Sequence, residues 1–173
     1  MKDRELIKAL KNSIKFGDFT LSSGAKSSYY IDKYIFETDP KCLEAIGKEI
    51  SELIPPGTQK LAGIELGSVP LVAVASIKSK LPYVIVRKEK KGYATKKAIE
   101  GELCPGENVL VIEDVATTGS EAVRTVQTLR DHRAIVNSVL AVIDREEGAR
   151  ENLHAIGVSL VSIAKASELL EVI

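Results

Sequence analysis

The sequence predicts an α/β fold in which helices cover both faces of a parallel sheet. From Lys60 onward, short and almost continuously apolar runs alternate with segments of helical character at 70–79 and 119–131. The apolar runs read LAGIEL, PYVIV, NVLVIED and VNSVLAVID. Strands that are apolar throughout are typical of parallel sheets buried on both faces, and the intervening helices supply the crossovers. A chain of 173 residues can bury its own core, so we predict one domain over residues 1–173.

The N-terminal third follows a different pattern. Apolar residues at helical spacing predict a first helix that starts at Arg4 and is closed by Phe16 and Gly17, with Leu6, Ile7, Leu10 and Ile14 on its apolar face. The apolar segments 19–21 and 28–31 flank SSGAKS, which indicates a hairpin or a long loop. A second helix is predicted to begin at Asp39 and Pro40 and to end before the sequence PPG at 55–57.

Charge and cysteine content exclude several classes of protein. Lys plus Arg and Asp plus Glu both number 24, so the net charge is zero, which argues against general binding to nucleic acid or to a membrane surface. The N-terminus lacks the apolar core of a signal peptide, and the uncharged stretch 66–77 is far shorter than the ~18 residues of a membrane span. We therefore expect a cytoplasmic protein. The cysteines and histidines form no zinc-ligand pattern, and reduced thiols are expected at Cys42 and Cys104.

Polar or charged residues follow the ends of four predicted strands. In an open α/β sheet the ligand crevice lies outside the carboxyl ends of the strands. These four strand ends can therefore converge on one site: Glu65 and Gly67, Arg87 and Lys88, Glu113 and Asp114, Asp144 and Arg145.

The segment IEDVATTGSEAV at 112–123 combines two opposite chemistries. The turn TTGS at 117–120 precedes a predicted helix, where free backbone N–H groups and the positive end of the helix dipole favour a phosphate. Glu113 and Asp114 instead favour sugar hydroxyls or a hard cation such as Mg²⁺. Together they predict a ligand with hydroxyls at one end and phosphate at the other. The alternative is that the carboxylates cap the next helix and Gly119 only makes a turn.

Neither GxxxxGK[ST] nor a GxGxxG after a strand occurs, which disfavours an ordinary ATPase or GTPase and a dinucleotide site.

VLVIEDVATTGSEAV resembles the phosphoribosyl diphosphate (PRPP) binding signature of type I phosphoribosyltransferases. Three further segments, in the same order along the chain, narrow the resemblance to the orotate phosphoribosyltransferases: FGDFTLSSGAKSSYYID (16–32), VRKEKKGYATKKAIEG (86–101) and IDREEGAR (143–150). The resemblance implies a central parallel sheet of about five strands flanked by helices, with a small hood contributed mainly by about residues 1–35. It also implies transfer of the phosphoribosyl group from PRPP to orotate with Mg²⁺, giving orotidine 5'-monophosphate and diphosphate in UMP biosynthesis.

The resemblance assigns PRPP binding to a continuous stretch of nine residues: Glu113, Asp114, Val115, Ala116, Thr117, Thr118, Gly119, Ser120 and Glu121. Under this hypothesis the two carboxylates hold the ribose, directly or through water, and residues 116–120 hold the 5-phosphate. The metal is expected to be held mainly through PRPP, without a direct protein ligand.

The basic segment RKEKKGYATKKAIEG suggests a mobile loop with small residues between its charges. A charge run is often only a solvated face, and that alternative remains for Lys90, Lys96 and Lys97. By resemblance, Arg87, Lys88 and Lys91 match diphosphate-binding positions, with Lys91 as the catalytic residue that stabilises the leaving group.

The same loop carries two further implications of the resemblance. In this family the neighbouring subunit supplies it, which implies a homodimer with shared active sites. Tyr93, also assigned to PRPP, stands where many relatives have a histidine, and a phenol can donate a hydrogen bond but is neutral at physiological pH.

Two segments are assigned to orotate. By resemblance Arg145 and Thr117 hold it, and a guanidinium suits a carboxylate because the two groups can form paired hydrogen bonds. The alternative for Arg145 is an ion pair with Glu146 or Glu147.

The segment 16–32 supplies a candidate base pocket at Tyr30 and Ile31. Core packing is the alternative for Tyr29 and Tyr30. Ser22 replaces a lysine that bacterial relatives direct to the diphosphate, and Lys26 is a candidate substitute. The loop ELGSVP at 65–70 is expected to offer backbone and hydroxyl donors to the diphosphate.

Two other functions remain open at this point. A purine phosphoribosyltransferase would share the PRPP segment but would not need Arg145. A PRPP-sensing regulator should carry an extra basic face or an appended nucleic-acid-binding segment, and the balanced charge of this chain favours neither.

Overall fold

A computed structural model of the chain describes residues 4–20, 24, 26–88 and 97–171. The N-terminal third forms a helix, a two-stranded antiparallel hairpin and two more helices. In chain order these elements are α1 (Arg4–Asn12), β1 (Ile14–Thr20), β2 (Lys26–Ile31), α2 (Tyr34–Glu37) and α3 (Pro40–Leu53). The predicted second helix is confirmed as α3, whose start is capped by the Asp39 side chain accepting a hydrogen bond from the Cys42 N–H.

The remainder of the chain forms a six-stranded sheet with its crossover helices. The order of the strands across the sheet is β5-β4-β3-β6-β7-β8, in which β5 alone runs antiparallel to its neighbour. The elements are β3 (Lys60–Ile64), α4 (Val69–Ser79), β4 (Tyr83–Val86), β5 (Ile99–Glu100), β6 (Asn108–Ala116), α5 (Ser120–Asp131), β7 (Ile135–Asp144), α6 (Ala149–His154), β8 (Ser159–Lys165) and α7 (Ala166–Leu170). The prediction of an α/β fold around about five parallel strands is confirmed.

The order of the strands creates a switch point between β3 and β6. From β3 the chain crosses to β4 on one side, and it then returns to the other side of β3 to form β6. Connections that leave in opposite directions open a crevice at the carboxyl ends of the two strands, where ligands bind in open α/β sheets.

Helices bury both faces of the sheet, as the alternation along β6 shows. Val109 and Val111 belong to the core beneath α5 and α6, whereas Leu110 and Ile112 belong to the core beneath α1, α3, α4 and α7. All four of these side chains are buried. Two buried faces explain why the strand is apolar until it reaches Glu113.

The first helix is shorter than the sequence pattern predicts. It ends at Asn12, and Ile14 opens strand β1, where it pairs with Ile31 of β2. Ser13 makes the turn, because its hydroxyl and its N–H both donate to the Leu10 carbonyl. Pairing with β2 therefore overrides the helical spacing of Ile14. The hairpin itself is confirmed, and it forms the small N-terminal hood.

Five elements were not predicted from the sequence: α2, β5, α6, β8 and α7. Each has seven residues or fewer, so none offers a long periodic pattern. In the described part of the chain, no helix combines the length and the apolar character that a membrane span requires.

Candidate active site

A cavity of about 910 Å³ lies at the carboxyl ends of β3 and β6, at the switch point of the sheet. This volume is in the range of small-molecule binding sites. Four parts of the chain line it: the hairpin and the residues after it (Phe19, Thr20, Tyr30, Ile31, Lys33, Tyr34), residues 64–68 at and after the end of β3, Lys88, and the end of β6 with the segments that follow β6 and β7 (Glu113, Asp114, Val115, Thr117–Glu121, Arg145). Most residues predicted for the site are thus brought together.

One end of the cavity is the turn that leads into α5. Gly119 is the N-cap of α5 and has φ 74°, a left-handed conformation that glycine adopts without strain. The Asn152 side chain supports the turn, because its Nδ2 donates to the Thr118 carbonyl at 2.9 Å. The first backbone N–H groups of a helix lack partners within the helix. The start of α5 at Ser120 can therefore receive an anion from the cavity.

The cavity wall also contains carboxylates, and Glu113 is the most buried of them. The side chain is 7% exposed, and Oε2 has no hydrogen-bond partner among the described residues. Burial raises the pKa of Glu113 to about 8, and the neighbouring carboxylates of Asp114 and Glu121 add to the shift, while Lys88 and Lys33 oppose it. Glu113 therefore has an unused oxygen to offer to a hydroxyl donor.

Asp114 is paired with a residue that sequence reasoning missed. The Lys33 ammonium forms an ion pair with Asp114 Oδ2, and Asp114 Oδ1 accepts the Val115 N–H at 2.6 Å. Burial opposes the charge of Lys33, but the attraction of Asp114 outweighs it and raises the Lys33 pKa. Since 81 positions separate Lys33 from Asp114 in the chain, no local pattern could have indicated this pair.

Arg145 forms a further part of the cavity wall. Its side chain is 4% exposed, and its guanidinium carbon lies 4.4 Å from the centre of the Tyr29 ring. Nε and Nη2 donate to Glu147 Oε1 at 2.8 and 2.7 Å, and Nη2 also lies 3.3 Å from Ser27 Oγ. The ion pair considered as the alternative therefore exists with Glu147, yet Arg145 still lines the cavity.

The two tyrosines of the hood have different surroundings. Tyr30 is 43% exposed, lines the cavity and packs against the Phe19 ring, with 5.6 Å between the ring centres. Tyr29 packs against the core and beneath Arg145. Ile31 is buried and lines the cavity beside Tyr30. The alternation of side chains along a strand explains why Tyr29 and Tyr30 have different surroundings, because successive side chains point to opposite faces.

Arg87 and Ala116 are not among the residues that line this cavity. Arg87 contacts Glu100 at 3.0 Å and Glu65 at 3.6 Å, and it lines a second cavity of about 540 Å³. Lys88 lines both cavities, with its Nζ 3.9 Å from Glu121 Oε2. Ala116 is fully buried.

Lys91, Tyr93 and Ser22 of the sequence predictions lie outside the described residues, as do Lys90 and Lys96 of the basic segment. Lys26, the candidate substitute for Ser22, donates to Thr20 Oγ1 at 2.8 Å at the edge of the cavity.

Comparison with known proteins gives close relatives of full length. The chain is 56% identical over 170 residues to orotate phosphoribosyltransferase of Methanocella arvoryzae, with 97% of each chain covered. It is 51% identical over 172 residues to orotate phosphoribosyltransferase of Natronomonas pharaonis, with 98% of each chain covered. No protein-family model matches the chain.

Solved structures share the fold over almost the whole chain. Orotate phosphoribosyltransferase from Aeropyrum pernix superposes with a TM-score of 0.84 at 33% identity, and 96% of each chain is covered. Orotate phosphoribosyltransferase from Mycobacterium tuberculosis in complex with PRPP superposes with a TM-score of 0.80 at 29% identity, covering 95% of this chain and 96% of that one.

Proposed function

This chain belongs to the orotate phosphoribosyltransferase family, and from that membership we propose how its cavity carries out the family's reaction. The enzyme transfers the 5-phosphoribosyl group from PRPP to orotate, which yields orotidine 5'-monophosphate and diphosphate in UMP biosynthesis. One observation carries the proposal: a single cavity is lined by a buried guanidinium, two adjacent carboxylates and a helix N-terminus.

Arg145 and Thr117 receive orotate at the hood end of the cavity. The guanidinium is held by Tyr29 beneath it and by Glu147 beside it, so it loses little conformational freedom when it binds a carboxylate. Tyr30 and Ile31 provide an apolar wall for the base. Arg145 thereby selects an acceptor that carries a carboxylate.

The acidic pair and the turn into α5 receive PRPP. Glu113 and Asp114 accept hydrogen bonds from the ribose hydroxyls, and residues 117–120 at the start of α5 hold the 5-phosphate. With both substrates held in this way, the orotate ring nitrogen faces C1 of the ribose. Catalysis then consists of positioning and electrostatic stabilisation.

Cations stabilise the diphosphate as it leaves. Negative charge grows on the leaving group while the bond to C1 breaks, and a cation placed beforehand lowers the barrier. Lys88 lines the cavity for this purpose. On the basis of the sequence resemblance, we assign the catalytic part to Lys91 and supporting parts to Arg87 and Tyr93. A Lys91→Ala variant with full activity would contradict that assignment.

Mg²⁺ fits the donor set of this site as a partner of the substrate. Among the described residues no group of three or more histidine, cysteine or carboxylate side chains could enclose a metal ion. Mg²⁺ commonly binds substrate phosphates with the help of one or two carboxylates. The free Oε2 of Glu113 and the adjacent Asp114 could supply such help, directly or through water. The bound ion would neutralise charge on the diphosphate.

We further propose a homodimer with shared active sites. Helix α4 has the sequence VPLVAVASIKS, which is apolar around most of its circumference, and its Ile77 is 66% exposed. Leu66, just before this helix, is also 66% exposed. An exposed apolar surface of this kind suits a contact with a second copy. Arg87 lines the second cavity, where it pairs with Glu100 and Glu65.

We place the enzyme in the cytoplasm, in keeping with the free thiols of Cys42 and Cys104.

The assay that tests the function compares acceptors. Purified protein is mixed with PRPP and Mg²⁺, and diphosphate release is measured with orotate, adenine, xanthine or uracil. Of the four acceptors, we expect only orotate to cause diphosphate release, because Arg145 requires a carboxylate. Turnover of adenine or xanthine without turnover of orotate would instead identify a purine phosphoribosyltransferase.

A further inference from the structure

Lys33 lines the cavity but has no part in the reaction as described above. Its ammonium group pairs with Asp114 Oδ2 while 27% of its side chain remains exposed. We propose that Lys33 is a positioning residue, which holds the Asp114 carboxylate in place to accept the ribose hydroxyls of PRPP. This inference rests on the proposed function, since that function assigns the ribose to Asp114.

The packing around the pair indicates a fixed arrangement. A Cβ atom at Gly67 would overlap both the Asp114 carboxylate and the Lys33 ammonium, so the backbone of residue 67 closes directly over the pair. Asp114 Oδ1 is held by the Val115 N–H and Oδ2 by Lys33. A carboxylate oxygen accepts more than one hydrogen bond, so each oxygen can still accept a hydroxyl. The carboxylate is therefore oriented before the ligand arrives.

Lys33 also influences two other carboxyl groups besides that of Asp114. Glu37, one helical turn further along, is 4% exposed, and its Oε1 has no hydrogen-bond partner among the described residues. Burial raises the pKa of Glu37 to about 7, Asp114 adds to the shift, and Lys33 opposes it. Burial likewise raises the pKa of Glu113, and Lys88 and Lys33 oppose that shift. The charge of Lys33 thus favours the ionised forms of Glu37 and Glu113 while it pairs with Asp114.

Removal of this charge has a specific consequence for PRPP. Without Lys33, Asp114 loses its counter-charge and one of the two contacts that orient its carboxylate. The carboxylate is then no longer oriented before PRPP arrives. PRPP affinity should therefore fall by at least about tenfold, the loss expected from one hydrogen bond to a charged group.

The test measures PRPP affinity by titration calorimetry, together with the KM for PRPP and kcat. The variants are Lys33→Met, the double variant Lys33→Met/Glu37→Gln, and Lys48→Met as a control at an exposed position on α3. The double variant also removes the buried carboxyl of Glu37, whose ionised form Lys33 favours. It therefore shows whether Glu37 rather than Asp114 causes the loss, and it is the second variant to use if Lys33→Met alone is unstable. Lys48→Met should bind like the wild type.

We expect both Lys33 variants to bind PRPP at least about tenfold more weakly, with kcat changed by less than about threefold. Wild-type affinity in Lys33→Met would overturn the inference. So would recovery of affinity in the double variant, because the loss would then come from the unpaired Glu37. A wild-type protein that binds PRPP but transfers nothing to orotate would contradict the proposed function and leave the role of Lys33 intact.

Discussion

Replacement of Gly119 by alanine tests whether the phosphate end of the cavity has the geometry described. Gly119 has φ 74°, and a left-handed conformation costs an L-residue about 1–2 kcal/mol. Its Cβ would lie 3.0 Å from Ala149 Cα and 3.1 Å from Ala149 Cβ, well inside the ~3.5–4.0 Å of an ordinary carbon contact. Ala149 is fully buried at the start of α6, so it cannot move away freely. Overpacking adds about 1–3 kcal/mol, for a total of about 2–5 kcal/mol.

A matched control separates the two contributions. Gly57 has φ 83°, and a Cβ there meets nothing within 4 Å, so Gly57→Ala carries only the backbone cost of about 1–2 kcal/mol. In thermal denaturation, where about 1 kcal/mol lowers the Tm by about 2–4 °C for a chain of this size, Gly119→Ala should melt several degrees below Gly57→Ala. It alone should also raise the KM for PRPP. Equal Tm losses in the two variants, or an unchanged KM in Gly119→Ala, would refute the reasoning.

Two further substitutions address the other parts of the site. Arg145→Gln should raise the KM for orotate about 100-fold or more, because two hydrogen bonds to a charged group contribute about 1.5–3 kcal/mol each. The KM for PRPP should stay within about threefold of the wild-type value. Initial rates with varied orotate measure the first effect, and an unchanged KM for orotate would contradict it. Glu113→Gln should change the pH dependence of stability. The folded protein holds the Glu113 proton up to a pKa of about 8, whereas the unfolded chain loses it near the ordinary pKa of 4.5. The free energy of unfolding of the wild type therefore falls as the pH rises between these values. Urea unfolding measures the free energy of unfolding at pH 5 and pH 8. Between these pH values the stability of Glu113→Gln should rise relative to that of the wild type, by on the order of a few kcal/mol at pH 8. An identical pH dependence of the two free energies would exclude a buried, protonated Glu113.

The sequence allowed the strands and the chemistry at their ends to be predicted because both are local. An apolar run that stops at Glu113 or Asp144 marks where a buried strand emerges, and parallel strands bring such ends to one edge of the sheet. Arg145 could be predicted for the same reason.

Contacts between distant segments could not be predicted in this way. Lys33 gains its position only when the hairpin folds over the sheet and meets Asp114, 81 residues later in the chain. Ile14 has helical spacing to Leu10, yet pairing with Ile31 places it in a strand. The direction of Arg87 depends on Glu100 of the short strand β5, which the sequence pattern did not indicate.

In the proposed function, one cavity holds the base, the ribose and the phosphate in a fixed order. A crystal structure with orotidine 5'-monophosphate bound tests this order most directly. The expected result places the carboxylate on Arg145, the ribose hydroxyls on Glu113 and Asp114, and the phosphate on the backbone of 117–120. A nucleotide bound in the reverse direction, or in the second cavity beside Arg87, would contradict the account.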